Sequence, residues 1–444
     1  MSDLRPRTRT RTHPRRVHAA RHGRARKSDA ALAVVKVMAA SLAVLLVSGV
    51  SLGAIAVAQL SGNIESVALV GDDEATQSVA APALGKFEGG FNILVVGSDV
   101  CDKEGGCADR QAELNDVTML IHVARDQSSA VGVSIPRDLV VPIPSCPQED
   151  GEGYYSSMSA RPINNTLAYG GLACTVLTVE ALTGFDIPYA GLITFSGVIG
   201  MSNAVGGVPV CIDGPINDRY SGFVRDKAGE YTLQGQDALN FLRTRHGVGD
   251  GSDLGRISSQ QVFLSSLVRT IKSDSTLTDP SKLFAIATAA TSNMKLSTQL
   301  ANLNTMVSMS LVLKDIPLDR ITFVQYPGTV GQGGVYSGKV APITAQADAL
   351  FAKLASDEPF ALAGHTGIGS TENPDAPTTA SVDPAVPVDP DAPVDPVDPE
   401  APVDPEAPAD PEAAPGGPAA PTPEVLSGLA GQTAADYTCS KSNR

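Results

Sequence analysis

The feature that most constrains this chain is a run of 22 residues without a charged side chain, from Val37 to Ala58. As an α-helix, such a run is long enough to cross the hydrocarbon core of a bilayer. Residues 1–36 on its N-terminal side contain eleven Lys and Arg residues. The positive-inside rule then keeps the N-terminus in the cytoplasm and everything after Gln59 outside. The sequence therefore predicts a cell-membrane protein with one transmembrane helix (37–58) and an extracellular domain.

A cleaved signal peptide is the competing interpretation of this segment. Ala56-Val57-Ala58 resembles a small-residue cleavage site, but the apolar run is longer than the usual core of a signal peptide. An uncleaved anchor is therefore favoured. The basic segment 1–36 could bind nucleic acid, but beside a membrane helix it is explained more simply by orientation and anionic lipid. We expect no nucleic-acid partner.

The cysteines agree with an oxidising location. All six follow the apolar run, and their even number permits disulfides. Cys101 and Cys107 could pair locally, and Cys174 and Cys211 could pair within the core, which leaves Cys146 and Cys439. Zinc is a weaker alternative, since the chain has no CxxC pair and few histidines.

Strand-like and helix-like patterns alternate between residues 91 and 360, which predicts an α/β fold with αβα layers and a central mixed sheet flanked by helices. Residues 59–90 form a polar linker. The expected strands are 91–97, 117–124, 129–135, 189–195, 208–212 and 320–326. The expected helices are 163–184, 196–205, 236–245, 254–271, most of 277–313, and 345–355.

The composition changes within residues 361–424, where Val-Asp-Pro, Asp-Ala-Pro and Glu-Ala-Pro units recur without Lys or Arg. Such a segment cannot bury a core, and its prolines favour an extended chain. It is predicted to be a disordered C-terminal tail or a wall-spanning spacer that could reach on the order of 150 Å. Residues 425–444 carry Cys439 and could dock back onto the domain.

Two acidic residues lie at neighbouring strand ends. Asp99 follows the first predicted strand and Asp116 precedes the second. Together they could hold Mg²⁺ with water and phosphate oxygens. Taken alone, their spacing is explained as well by turn and strand capping.

Arginines gather at predicted strand and helix ends of an otherwise acidic chain, whose formal net charge is -15. Arg137 follows a buried strand, Arg243 and Arg245 lie near a helix end, and Arg256 and Gln260 share one helix face with Asp253 as the expected N-cap. These side chains could surround a diphosphate, because the guanidinium fork matches phosphate oxygens. A solvated network of ion pairs is the structural alternative.

These segments together resemble the LytR-CpsA-Psr family of cell-wall glycopolymer ligases. The order and spacing of the motifs carry the resemblance, which covers about residues 91–273. The motifs are NILVVGSD (92–99), NDVTML (115–120), SIPRD (134–138), INNTLAYGG (163–171), NAVGGV (203–208), QDALNFLRTR (236–245) and DLGRISSQQ (253–261).

The resemblance implies a Mg²⁺-dependent phosphotransferase. It would move a glycopolymer phosphate, such as a teichoic acid, from a polyprenyl-pyrophosphate carrier to the muramic acid 6-hydroxyl of peptidoglycan. The metal ligands would be Asp99 and Asp116. The catalytic residues would be Arg137 and Asp138, with Asp138 or a hydroxide on the metal as the base. The pyrophosphate would be bound by Arg137, Arg243, Arg245, Arg256 and Gln260, above an apolar cavity for the polyprenyl chain.

Three positions depart from the family pattern. Pro162, Leu114 and Ser259 stand where members often have Lys, Arg and Arg. Two other functions remain open: a pyrophosphatase acting on lipid or nucleotide diphosphates, and a non-catalytic polymer-binding or regulatory protein of the envelope.

Overall fold

The computed structural model describes residues 27–62, 64–71, 87–99, 113–148, 152–364, 366–373, 376 and 423–443. Cys101, Cys107 and most of the acidic proline-rich segment lie outside the described residues. Two compact units divide at residue 59.

The described residues of the N-terminal unit belong to one helix, α1 (Lys27–Gly62), which contains the whole uncharged run. The described apolar side chains of the uncharged run are exposed, with Val37 at 65% and Val47 at 67%. The helix therefore fits a single membrane anchor. The segment Ile163–Thr183 also has the length and hydropathy of a membrane span, but 56% of it is buried, so it is a core helix.

The larger unit is built around an eight-stranded mixed sheet, in the order β1-β14-β9-β2-β3-β4-β15-β21. The strands are β1 (Glu65–Val67), β2 (Phe91–Ser98), β3 (Asn115–Val123), β4 (Ala130–Ile135), β5 (Val140–Ile143), β6 (Cys146–Pro147), β7 (Tyr154–Tyr155), β8 (Met158–Pro162), β9 (Tyr189–Ile193), β10 (Val208–Ile212), β11 (Ile216–Asp218), β12 (Phe223–Arg225), β13 (Gly229–Leu233), β14 (Met294–Ser297), β15 (Ile321–Gln325), β16 (Gly328–Thr329), β17 (Ala341–Pro342), β18 (Phe360–Leu362), β19 (Ser370–Glu372), β20 (Glu424–Leu426), β21 (Gly431–Thr433) and β22 (Thr438–Ser440).

Helices cover both faces of this sheet, as predicted. The α-helices are α2 (Thr166–Thr183), α3 (Phe195–Ala204), α4 (Gln236–Arg243), α5 (Asp253–Lys272), α6 (Asp274–Leu277), α7 (Pro280–Ser292), α8 (Leu303–Asp315) and α9 (Thr344–Ala355). Alternate strand residues point to opposite faces. Leu94 and Leu120 therefore pack with α2 and α9 on one face, while Met119 and Val123 pack with α8 on the other.

A second, four-stranded sheet, β13-β10-β22-β19, has its own apolar core around Phe223 and Phe241. One of its strands, β22, comes from the far C-terminal end of the chain. The docking expected for the Cys439 segment is confirmed: β22 runs parallel to β10, and Cys439 is bonded to Cys211.

The structure corrects several predictions. Cys174 is bonded to Cys146 and not to Cys211. The region 277–313 is interrupted by strand β14. The folded part also extends beyond 91–360, because β1, β18 and β19 belong to it. Folded strands, β19 and β20, flank the acidic segment in the chain, and the segment itself lies outside the described residues.

Candidate active site

A β-bulge places the first acidic residue of the site. Gly97 pairs with Val117, but Ser98 pairs with Asn115, so Asp116 is an extra residue in β3. Strand side chains normally alternate between faces, whereas a bulge re-aims one of them. As a result, the consecutive residues Asp116 and Val117 both line the same cavity.

Arg137 lies just beyond the end of β4 and points back toward this bulge. Its Nη1 is 2.5 Å from Asp116 Oδ1, and its Nε is 3.6 Å from Asp253 Oδ1. The backbone carbonyl of Arg137 accepts a hydrogen bond from Asn164 N at 3.1 Å. Contacts of both the side chain and the backbone thus hold Arg137 in position.

Asp253 joins Arg137 to Arg256 and is a functional candidate that the sequence analysis missed. Ser252, not Asp253, caps α5, with its Oγ accepting from Gly255 N at 3.3 Å. Asp253 Oδ1 lies 2.7 Å from Arg256 Nη2, and both side chains are only 4% exposed. The signal was present in the i, i+3 spacing of the two residues on a helix.

Arg256 also contacts the bulged strand directly. Its Nη2 donates to the Asp116 carbonyl at 2.7 Å. Gln260, one turn later, donates through Nε2 to the Leu242 carbonyl at 2.9 Å and so ties α5 to the end of α4. Arg256 and Gln260 line the same cavity, as their shared helix face predicted.

The remaining two arginines lie at and after the end of α4. The Arg243 guanidinium lies 4.7 Å from the centre of the Phe195 ring and lines the cavity. Arg245 makes no ion pair in the part of the chain that the structure describes, and its buried Nε has no hydrogen-bond partner there. Arg245 is therefore the arginine best placed to take an anion.

The electrostatics follow from this clustering. Burial by itself raises the pKa of Asp116, but the charges of Arg256, Arg137 and Arg243 outweigh burial and leave that pKa below its usual value. Burial and the nearby charge of Arg137 lower the pKa of Arg245. A phosphate group would relieve this crowding of positive charge.

Two predicted residues lie at the edges of the cluster. Asp138 Oδ2 is 3.7 Å from Arg137 Nε, while Asp138 Oδ1 is 2.7 Å from Lys339 Nζ, a contact that sequence reasoning missed. Asp99 is buried, and its Oδ1 accepts a hydrogen bond from Leu114 N at 2.8 Å. Neither of these two residues lines the cavity.

The cavity has a volume of about 190 Å³, and Arg243 and Arg256 of the arginine cluster lie in its wall. Its wall is mostly apolar, and it lies between the central sheet and helices α3, α4 and α5. The lining residues are Val95, Gly97, Ser98, Asp116, Val117, Met119, Ile193, Thr194, Phe195, Val198, Met201, Ser202, Leu239, Leu242, Arg243, Arg256, Gln260, Phe263, Leu264 and Leu267. An apolar cavity beside the arginine cluster agrees with what the resemblance to the family implies.

The model of the LytR_cpsA_psr family matches residues 57–353, two thirds of the chain. The chain belongs to the LytR_cpsA_psr family. The matched region contains the bulge, every arginine of the cluster and the whole cavity.

Two curated proteins are similar to this chain in sequence. The cell wall biosynthesis protein LcpA of Corynebacterium glutamicum is 30% identical over 65% of this chain and 60% of its own length. The polyisoprenyl-teichoic acid–peptidoglycan teichoic acid transferase TagT of Bacillus subtilis is 31% identical over 42% of this chain and 54% of its own. The chain thus spans between half and three fifths of these relatives.

Among solved structures, the LytR-Csp2A-Psr enzyme from Actinomyces oris is similar, at 19% identity and a TM-score of 0.48. The match covers 66% of this chain and 96% of that enzyme.

Proposed function

We propose that this protein is a membrane-anchored, extracytoplasmic phosphotransferase. It moves a glycopolymer phosphate from a polyprenyl-pyrophosphate carrier onto peptidoglycan, at a muramic acid 6-hydroxyl. The observation that carries the proposal is the arginine cluster at the mouth of an apolar cavity, which suits a ligand with a hydrocarbon tail and a pyrophosphate head. The teichoic acid transferase activity for which TagT is named supports the same class of reaction.

Each part of the donor would have its own place. The polyprenyl chain enters the cavity between α3, α4 and α5. The pyrophosphate lies at the mouth, where Arg243, Arg256 and Gln260 face the cavity and Arg137 and Arg245 flank it. Guanidinium groups in a partly buried site stabilise the charge that develops on the transferred phosphoryl group and the leaving phosphate.

The transfer is a single displacement at phosphorus. The acceptor hydroxyl oxygen bonds to the phosphorus that carries the glycan, while the bond from that phosphorus to the bridging oxygen breaks. Polyprenyl phosphate leaves with the electron pair. Asp138 takes the hydroxyl proton, and Lys339, 2.7 Å from its Oδ1, holds that carboxylate in position.

The acidic residues fit Mg²⁺ in their donor chemistry. Asp116 is ionised at the mouth of the cavity, and Asp99 lies on the adjoining strand end. No cluster of three or more His, Cys, Asp or Glu side chains that could hold a metal exists among the described residues. Two carboxylates with water and phosphate oxygens are the donors that Mg²⁺ commonly takes. The ion would offset phosphoryl charge, with Asp99 and Asp116 as its protein ligands.

The test uses the full-length protein in detergent with Mg²⁺, a polyprenyl-pyrophosphate glycan and nascent peptidoglycan. We expect covalent glycan phosphate on the peptidoglycan. Arg137→Ala should lower the rate by at least about 10²-fold, the scale of losing one charge-stabilising group. Arg225→Ala is the matched control, since Arg225 pairs with Asp237 and does not line the cavity.

The other functions predict different results. Diphosphate cleavage that proceeds equally without peptidoglycan would identify a pyrophosphatase. Binding of the donor without turnover, with every acceptor tried, would identify a non-catalytic binding protein.

A further inference from the structure

An exposed aromatic pair lies beside the arginine cluster. Tyr220 is 81% exposed, and the side chain of His246 is 58% exposed. Their ring centres are 4.5 Å apart with an angle of 39° between the planes. We call these two side chains the aromatic ledge.

The ledge is held rigidly from beneath by one buried carboxylate. Asp218 Oδ1 accepts hydrogen bonds from Tyr220 N at 2.9 Å and Ser221 N at 3.3 Å. Asp218 Oδ2 accepts from Arg245 N at 2.8 Å and His246 N at 2.9 Å. Asp218 is only 1% exposed. It therefore fixes the turn that carries Tyr220 to the segment that carries Arg245 and His246.

The aromatic ledge follows a row of arginine side chains that begins inside the cavity. Arg243 and Arg256 line the cavity, whereas Arg245 lies outside its lining but close enough to Arg137 and Arg256 to feel their charges. His246 follows Arg245 directly in the chain. A ligand with its tail in the cavity and its pyrophosphate on the arginines would continue toward the ledge.

We propose that the aromatic ledge binds the first sugars of the lipid-linked donor, next to the pyrophosphate. This inference rests on the proposed function. The C–H faces of a pyranose ring are apolar and pack on aromatic rings, and rigid aromatic side chains give contact area at a low entropic cost. A ring pair fixed by four backbone hydrogen bonds is preorganised for such a contact.

The experiment compares two lipids, a polyprenyl pyrophosphate carrying two N-acetylhexosamines and the same lipid without sugar. Equilibrium binding to the full-length protein is measured in detergent without peptidoglycan. Tyr220→Ala should weaken binding of the sugar-bearing lipid by about tenfold, which corresponds to roughly 1.4 kcal/mol of stacking. Binding of the sugar-free lipid should stay unchanged, and Tyr220→Phe should bind both lipids like the wild type.

Tyr154→Ala is the matched control, because Tyr154 is also exposed but lies on the β6–β7 hairpin. An equal loss for both lipids would overturn the proposal and make the ledge part of the pyrophosphate site. A loss seen only in nanodiscs, equal for both lipids, would overturn it in favour of contact with the bilayer surface. Wild-type protein that binds neither lipid would contradict the proposed function itself.

Discussion

At the scale of single residues, one buried carboxylate organises the arginine cluster. Asp253 lies 3.6 Å from Arg137 Nε and 2.7 Å from Arg256 Nη2. Its backbone position in the first turn of a helix also suits a negative charge. Asp253 therefore holds two guanidinium groups whose mutual repulsion would otherwise drive them apart.

Asp253→Asn should lower both activity and stability. Removing one partner of a buried ion pair leaves an uncompensated charge. We therefore expect the free energy of unfolding, measured by urea denaturation, to fall by about 3 kcal/mol. Asp237→Asn breaks the more exposed pair with Arg225 and should cost less than about 1 kcal/mol. Equal costs for the two variants would contradict the organising role of Asp253.

The lowered pKa of Asp116 predicts how the stability of the protein depends on pH. A carboxyl group with a lower pKa when folded stabilises the protein fully above its unfolded pKa, about 3.9, and loses that contribution as pH falls through the folded value. The difference in unfolding free energy between wild type and Asp116→Asn should thus stay constant from about pH 7 to pH 5 and shrink below about pH 4. Urea unfolding across this range measures it. A difference that closes between pH 6 and pH 5 would refute the assignment.

At the scale of elements, sequence patterns predicted long segments well and contacts between distant segments poorly. The apolar run of β2 and the periodicity of α5 are local signals, and both elements lie within two residues of their expected bounds. Strand β14 was missed because its four residues, two of them polar, lie between helices and show no alternation long enough to recognise.

The candidate site shows the same difference between local signals and contacts of distant segments. Arg137, Arg243, Arg256 and Asp116, which the motif positions singled out, lie in one cluster. The contacts of Asp253 with Arg137 and of Lys339 with Asp138 were missed, because they depend on segments more than 100 residues apart meeting in space. Disulfide pairing failed for the same reason, since cysteine spacing does not determine connectivity.

The two described disulfides should differ in their effect on stability. Cys211 and Cys439 are 228 residues apart, whereas Cys146 and Cys174 are 28 apart. Loop-closure entropy then predicts that Cys211→Ser/Cys439→Ser costs about 2 kcal/mol more than Cys146→Ser/Cys174→Ser. Urea unfolding of the two double variants makes the comparison, and a reversed order would contradict it.

At the scale of the whole molecule, the C-terminal segment is part of the active domain. Gly249 N donates to the Lys441 carbonyl at 2.8 Å, and Asn443 N donates to the Gly247 carbonyl at 3.0 Å. Ser259 contacts Ser440, with 2.7 Å between their Oγ atoms. The segment thus supports the loop between Arg245 and Asp253.

Both ends of the acidic segment are fixed to the same domain. Asn373 N donates to the Tyr437 carbonyl at 3.0 Å, and β20 pairs with β18. The described residues on both sides of the acidic segment are therefore tied to the same domain.

A protease site introduced between residues 377 and 422 tests this attachment. After cleavage, the protein should migrate as one species on a non-reducing gel and as two after reduction, because Cys211–Cys439 joins the fragments. Activity should survive cleavage, since the pairing of β20, β21 and β22 does not depend on the acidic segment. Release of a C-terminal fragment without reductant would exclude the bond in the native protein.

The C-terminal strands also cover strand edges that could otherwise pair with other copies of this protein. β21 covers the outer side of β15, and β22 covers β10. A chain ending at residue 376 would leave both strands with unpaired backbone groups, which are templates for pairing with other chains. The last twenty residues therefore cover two strand edges that would otherwise be open to pairing with other chains.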